Sequence, residues 1–270
     1  MSLEPDGPLL RVDGIRVSFG GLAVLTDVSV DVPESGVLGV IGPNGAGKTT
    51  LFNVICGFVR PSSGTMTFDG RPLRGHRPHD VTALGIARTL QGLGLFGRLS
   101  VLENVVAGTT HLSRTGPLGS LLASPWADRG ERRLRDKAMA ALTELGIADD
   151  AQRPCASLPY GVRKRVALAR ALVADPKLLL LDEPAAGLSA SEMTELAGII
   201  RGLHDTTSVM LVEHNMDFVM DLCDRIVVLD FGNVIARGTP AEVRADPAVQ
   251  RAYLGETVEA VQETVGGEHA

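Results

Sequence analysis

Aromatic residues make up only 4% of this 270-residue chain. That scarcity leaves no interleaved aromatic platform for nucleic acid. Basic residues do not dominate either. Lys and Arg total 26 against 32 Asp and Glu, for a net charge of −6. A strongly basic nucleic-acid footprint is therefore absent, and at most a local patch remains. Cysteine is scarce: Cys56, Cys155 and Cys223 are an odd set with no C-x-x-C and no metal-ligand spacing. This argues against a disulfide framework and for a reduced, cytosolic compartment. Met1 to Gly14 lacks the basic, apolar, small-residue order of a secretory signal. The longest pure aliphatic block, Leu178–Leu181, is far short of the ~20 residues of a membrane span. The chain reads as soluble by itself, so work at a membrane requires recruitment.

What is present is an ordinary globular balance, 44% hydrophobic and 21% charged, with 31 glycines. Wholesale disorder is excluded. The first third reads as strands. Leu10 to Val17 is apolar-rich, and Val28, Val30 and Val32 alternate with polar residues. Gly36 to Ile41 is a buried run ending in a glycine-rich turn, followed by a helix from Lys48 to about Cys56. Met66 and Phe68 alternate ahead of a turn at Asp69-Gly70. Ser100 and Glu103 form a capping box that opens a helix. Thr109 to about Arg129 is an irregular insertion containing Trp126. From Glu131 the pattern is helical, with Leu134, Ala138, Ala141, Leu142 and Leu145 on one face. The last third alternates: strand Leu178–Leu181, helix to about His204, strand Ser208–Val212, helix Asn215–Cys223, then strands Arg225–Asp230 and Val234–Gly238. Such alternation predicts an α/β fold with a parallel core sheet and a helix-rich subdomain inserted into it. The tail from Thr257 is expected to fray.

Gly42-Pro43-Asn44-Gly45-Ala46-Gly47-Lys48-Thr49 fits G-x-x-x-x-G-K-[ST] in full, after a strand and at the start of a helix. Gly45 and Gly47 let the backbone close around phosphate with its N–H groups inward. The helix N-terminus adds positive potential. Lys48 can reach the β- and γ-phosphates, and the Thr49 hydroxyl can ligate Mg²⁺. Leu178–Leu181 delivers Asp182 and Glu183 to a strand C-terminus, where ligands bind in open α/β sheets. Asp182 suits Mg²⁺ through water, and Glu183 suits polarising the attacking water. Three residues are weaker singly. Phe19 either stacks on an adenine face or is a core aromatic. Gln91 is a γ-phosphate or Mg²⁺ sensor, or a polar loop residue. His214 bonds a γ-phosphate or is structural. The cluster Arg71, Arg74, His76, Arg77 and His79 reads as a solvated loop.

Phe19, the phosphate loop, Gln91, Leu158-Pro-Tyr-Gly161-Val, Asp182-Glu183, Gly187-Leu-Ser189 and His214 stand in an order and spacing that resembles the ATP-binding cassette (ABC) ATPases. The resemblance runs from about Leu10 to Glu256. It implies a P-loop NTPase (RecA-like) core with a mainly parallel sheet, an N-terminal antiparallel β subdomain and an inserted α-helical subdomain. It also implies one ATPase domain over 8–256, the helical subdomain near 92–160, and a tail over 257–270. ATP and Mg²⁺ are the implied cofactors. Gly42, Pro43, Asn44, Gly45, Ala46, Gly47, Lys48, Thr49 and Thr50 would bind nucleotide with Phe19. Thr49, Gln91 and Asp182 would arrange the metal, and Glu183, His214 and Gln91 would serve catalysis. Leu158, Tyr160 and Gly161 would act in trans on a partner's ATP. Here the chain departs from the family's Leu-Ser-Gly-Gly-Gln. Tyr160 is familiar in amino-acid importers. Pro159 removes the usual hydroxyl and N–H, and Val162 replaces Gln.

Val17-Ser-Phe-Gly-Gly-Leu22, Arg88–Phe96, Gly232–Pro240 and Ala252–Glu256 are similar to the ATPases of branched-chain amino acid importers. The expected partners are a second cassette, identical or paralogous, two transmembrane permease subunits and, indirectly, an extracytoplasmic solute-binding protein, with no nucleic acid. The expected place is peripheral, on the cytoplasmic face of the inner membrane. The alternatives are a lipopolysaccharide-export-like ATPase and a nucleotide-binding regulator with an impaired ATPase.

Overall fold

The computed structural model describes residues 7–89, 93–109 and 125–253, with side chains in the last stretch from 130 onward. Gln91, most of the 109–129 insertion, the Trp126 side chain and the tail from Thr257 lie outside the described residues. The chain forms two compact units, Met1–Pro78 with Leu203–Ala270, and His79–Gly202.

The first unit carries an antiparallel sheet and a mainly parallel one. Strands β1 (Leu10–Phe19), β2 (Leu22–Val32), β4 (Ser63–Phe68) and the short β5 (Arg71–Pro72) pair antiparallel in the order β2-β1-β4-β5. This is the expected N-terminal β subdomain. Its inward residues on β1 are Leu10, Val12, Ile15 and Val17. The step from 12 to 15 breaks a period of two. The pairing register with β2 shifts there, and Gly14 stands at φ 61° and donates its N–H to Ser29 Oγ. A bulge of this kind returns the strand's apolar face to the core.

In the other sheet, β3 (Val37–Ile41) lies between β8 (Ser208–Val212) and β9 (Arg225–Asp230), parallel to both. Strand β10 (Asn233–Gly238) closes antiparallel on β9. Every residue of β3 and β8 is buried. Their continuous aliphatic runs follow from burial of both sheet faces. Helices α1 (Lys48–Ile55), α6 (Met216–Leu222) and α7 (Pro240–Ala245) complete the unit, with α7 packed on β9 and β10.

The second unit holds the parallel pair β6 (Ile86–Arg88) and β7 (Leu178–Asp182). It also holds helices α2 (Val101–Ala107), α3 (Pro125–Glu144), α4 (Tyr160–Leu172) and α5 (Ala190–Gly202). Helices α2, α3 and α4 pack on one another. The capping box at Ser100 and Glu103 forms as its spacing predicts. Asn104 is fully buried and accepts the Phe96 N–H while donating to the Phe96 and Ser100 carbonyls, which fastens the loop ahead of α2. All three cysteines are free and buried. Burial, and then Asp224 and Glu213, push the Cys223 thiol up to about 12, so it is no nucleophile at neutral pH.

Candidate functional site

In the first unit, β3 ends in the 42–47 loop and α1 begins at Lys48. Gly42 stands at φ 148°, and a Cβ there would lie 2.0 Å from the Leu229 carbonyl oxygen. Gly47 stands at φ 101°, and its Cβ would lie 2.6 Å from Leu25 Cδ2. Neither position admits another residue. Gly47 is also the N-cap of α1, with no side-chain cap and no acidic residue in the first turn. The helix therefore offers its opening N–H groups and the positive end of its dipole to an anion. Lys48 is buried, and its Nζ donates to the carbonyls of Gly42 at 2.6 Å and Pro43 at 2.8 Å. Thr49 is exposed and Thr50 half-buried. The loop is braced by Gly232, noted from sequence as the first residue of the 232–240 resemblance: its N–H donates to the Ala46 carbonyl and its carbonyl accepts from the Thr26 N–H. The signal for it was the turn glycine itself, which stands at φ 75° where a Cβ would meet Val24 O at 2.4 Å.

Phe19 ends β1 and is 51% exposed, so it is not a core aromatic and keeps a face free for stacking. His214 follows the end of β8, its side chain mostly exposed. Beside it Glu213 is fully buried, and its Oε2 accepts the N–H groups of His214 at 3.1 Å and Asn215 at 3.4 Å. A carboxylate that accepts the backbone N–H groups of the next two residues fixes the exit of the strand, and so aims the imidazole. Sequence reading passed over Glu213. A lone acidic residue before a turn gives no sign that it is buried.

In the second unit, β7 delivers Asp182 as predicted, but Asp182 is not a solvated strand end. It is 5% exposed and its Oδ2 lies 2.7 Å from an Arg88 guanidinium nitrogen. Glu183 is half-buried and stands at φ 49°. Lys164 of α4 donates to the carbonyls of Glu183 and Pro184. An open cleft beside these groups is lined by Thr89, Leu93, Lys164, Leu168, Asp182 and Glu183. Neither Arg88 nor Lys164 had been assigned a role from sequence.

Helix α4 begins at Tyr160, with Pro159 as its N-cap. Leu158 is buried, Tyr160 exposed at the helix start, and Gly161 sits within the first turn. Pro159 provides no side-chain cap bond. A Ser would accept an N–H of that turn for itself, an interaction worth about 1 kcal/mol. Pro159→Ser is therefore expected to raise the unfolding midpoint slightly, by roughly 2–4 °C. Calorimetry of both proteins checks this, and an unchanged or lower midpoint would show that the cap does not form.

A glycine-built anion nest at the head of a helix in the first unit, and a buried strand ending in Asp182 and Glu183 in the second, are the two marks of a P-loop nucleoside triphosphatase. The ABC transporter family model matches residues 25–186, and a model of the branched-chain amino acid ATP-binding cassette transporter matches residues 233–259. The high-affinity branched-chain amino acid transport ATP-binding protein LivG of Salmonella typhimurium is 41% identical over 251 residues, covering 92% of this chain and 98% of that one. The lipopolysaccharide export system ATP-binding protein LptB of Haemophilus influenzae is 33% identical over 249 residues, with 92% of this chain covered and 98% of that one. The crystal structure of the ADP conformation of MJ1267, an ATP-binding cassette of an ABC transporter, superposes with a TM-score of 0.79 at 31% identity. It covers 92% of this chain and 98% of that one. The chain belongs to the ABC transporter family, as one of its ATP-binding ATPase cassettes.

Proposed function

We propose that this cassette hydrolyses MgATP to drive an importer of branched-chain or related amino acids. The observation that carries the reading is the match of residues 233–259 to the branched-chain cassette model, added to likeness to LivG along 92% of the chain. The same match favours import over lipopolysaccharide export, since LptB is less similar at 33%.

The chemistry assigned to each residue follows from its donor set. Lys48 and the N–H groups of the 42–50 loop hold the phosphates, and Phe19 stacks on adenine. Thr49, Gln91 and Asp182 supply hydroxyl, amide and carboxylate oxygens, the hard donors that suit Mg²⁺ alongside substrate phosphates. An ion held by these residues would neutralise phosphate charge. Glu183 accepts a proton from water, the water oxygen attacks the γ-phosphorus, and the β–γ bridging oxygen leaves with ADP. His214 donates to a γ-phosphate oxygen. Tyr160 and Gly161 present helix-start N–H groups to the nucleotide of a second cassette, identical or paralogous, and the buried Leu158 anchors the chain just ahead of them. ATP closes that pair and hydrolysis reopens it. Two permease subunits and an extracytoplasmic binding protein complete the transporter, with this chain on the cytoplasmic face of the inner membrane. Among the described residues no helix is long and apolar enough to cross a membrane. The compact ATPase domain is assigned to 8–256, with its helical subdomain near 92–160.

Reconstitution with the co-purifying permeases tests the reading. ATP-dependent accumulation of labelled leucine, isoleucine or valine in vesicles is expected. Hydrolysis stimulated by lipopolysaccharide instead would make it an exporter. Nucleotide binding without hydrolysis in the complex would make it a regulator, the reading that Pro159 and Val162 motivate.

A further inference from the structure

We infer that Lys164 is a positioning residue that sets the direction of Glu183 and ties it to the start of α4. The inference rests on the reading of Glu183 as the base. Glu183 stands at φ 49°, a left-handed angle that L-residues rarely adopt. It also directly precedes Pro184, which restricts its backbone further. Something must hold this conformation. Lys164 Nζ lies 3.0 Å from the Glu183 carbonyl oxygen and 2.6 Å from that of Pro184. The strand ends at Asp182 and the chain turns at 183–184, so these two successive carbonyls face the same donor. One ammonium that takes both fixes the orientation of the 183–184 peptide, and with it the base of the Glu183 side chain. Bonds from a charged donor are among the stronger ones in proteins.

The same lysine is part of the turn that Tyr160 opens. It follows Tyr160 by four residues on one face of α4, and its Nζ lies 5.5 Å from the Tyr160 ring centroid. Two glycines mark further close approaches between the segments. A Cβ on Gly187 would stand 3.1 Å from Tyr160 Cε1, and one on Gly161 would stand 2.1 Å from Glu192 Oε1. The stretch 158–164 and the stretch 183–192 therefore fit one another at three points, and a shift at the start of α4 is felt at the Glu183 peptide. A nucleotide held by the Tyr160–Gly161 N–H groups would in this way act on the carboxylate that serves the chain's own ATP.

The test compares Lys164→Met, Lys164→Arg and Glu183→Gln in the full-length chain, by steady-state ATP hydrolysis and by binding of a fluorescent ATP analogue. Lys164→Met is expected to lower kcat roughly 10- to 100-fold with KM and analogue affinity held within about twofold. Lys164→Arg, which keeps charged donors, is expected to regain most of kcat. Parental kcat in Lys164→Met beside an inactive Glu183→Gln overturns the inference alone. So does a loss of kcat and affinity together that Arg does not rescue, since that marks a general structural role. Parental turnover in Glu183→Gln removes the base itself, and the inference falls with it.

Discussion

Glu183→Gln is expected to lower ATP turnover by roughly 10²–10⁴-fold while leaving ATP binding intact. The amide keeps the size of the carboxylate but cannot take a proton from water. The 42–50 loop, proposed to hold the phosphates, is untouched. ATP should therefore be bound and not consumed, and a closed pair of cassettes should accumulate. Size-exclusion chromatography with ATP, run beside a phosphate-release assay, reads both quantities. A mutant that turns over at the parental rate would show that another group activates water. A mutant that fails to bind ATP would show that Glu183 shapes the site rather than acting in the reaction.

Arg88→Met should produce the largest loss of stability. Arg88 and Asp182 are nearly inaccessible, with side chains 10% and 3% exposed and 2.7 Å between them. Two buried opposite charges at that distance justify one another, and removing one leaves the other desolvated. Such a loss costs about 3–5 kcal/mol and lowers the unfolding midpoint by roughly 6–20 °C. Arg88→Met combined with Asp182→Asn removes both charges and is expected to recover part of the loss. Thermal unfolding without nucleotide keeps ligand binding out of the comparison. Equal stability of Arg88→Met and parent would mean that water or another group satisfies Asp182.

The parts of the site that were legible in the sequence are those whose chemistry is written in consecutive residues. The 42–49 loop needs backbone freedom at fixed offsets and a Lys at the helix start, so its glycines and Lys48 identify it locally. Asp182-Glu183 was legible because a buried strand announces its own end. What was not legible depends on partners far apart in the chain. Arg88 meets Asp182 across 94 residues, and Gly232 braces a loop far upstream of it. Glu213 and Lys164 look like ordinary surface charges until the fold buries one and turns the other toward two carbonyls. The start of α4 is hard to see in the sequence for a local reason. Pro159 carries no capping side chain, so the usual Ser, Thr or Asp signal is missing. On β1 the Gly14 bulge explains why the apolar positions slip from Val12 to Ile15 although the strand continues.

The placement of Lys48 bears on how the 42–50 loop tells one anion from another. Its ammonium is already engaged by the Gly42 and Pro43 carbonyls. An arriving inorganic phosphate or chloride must compete with those two bonds, and one short anion offers little beyond what it displaces. A triphosphate tail brings many more oxygens, spread along the loop and the helix start. A ligand that reaches the loop and the helix start together is thereby favoured over a lone phosphate.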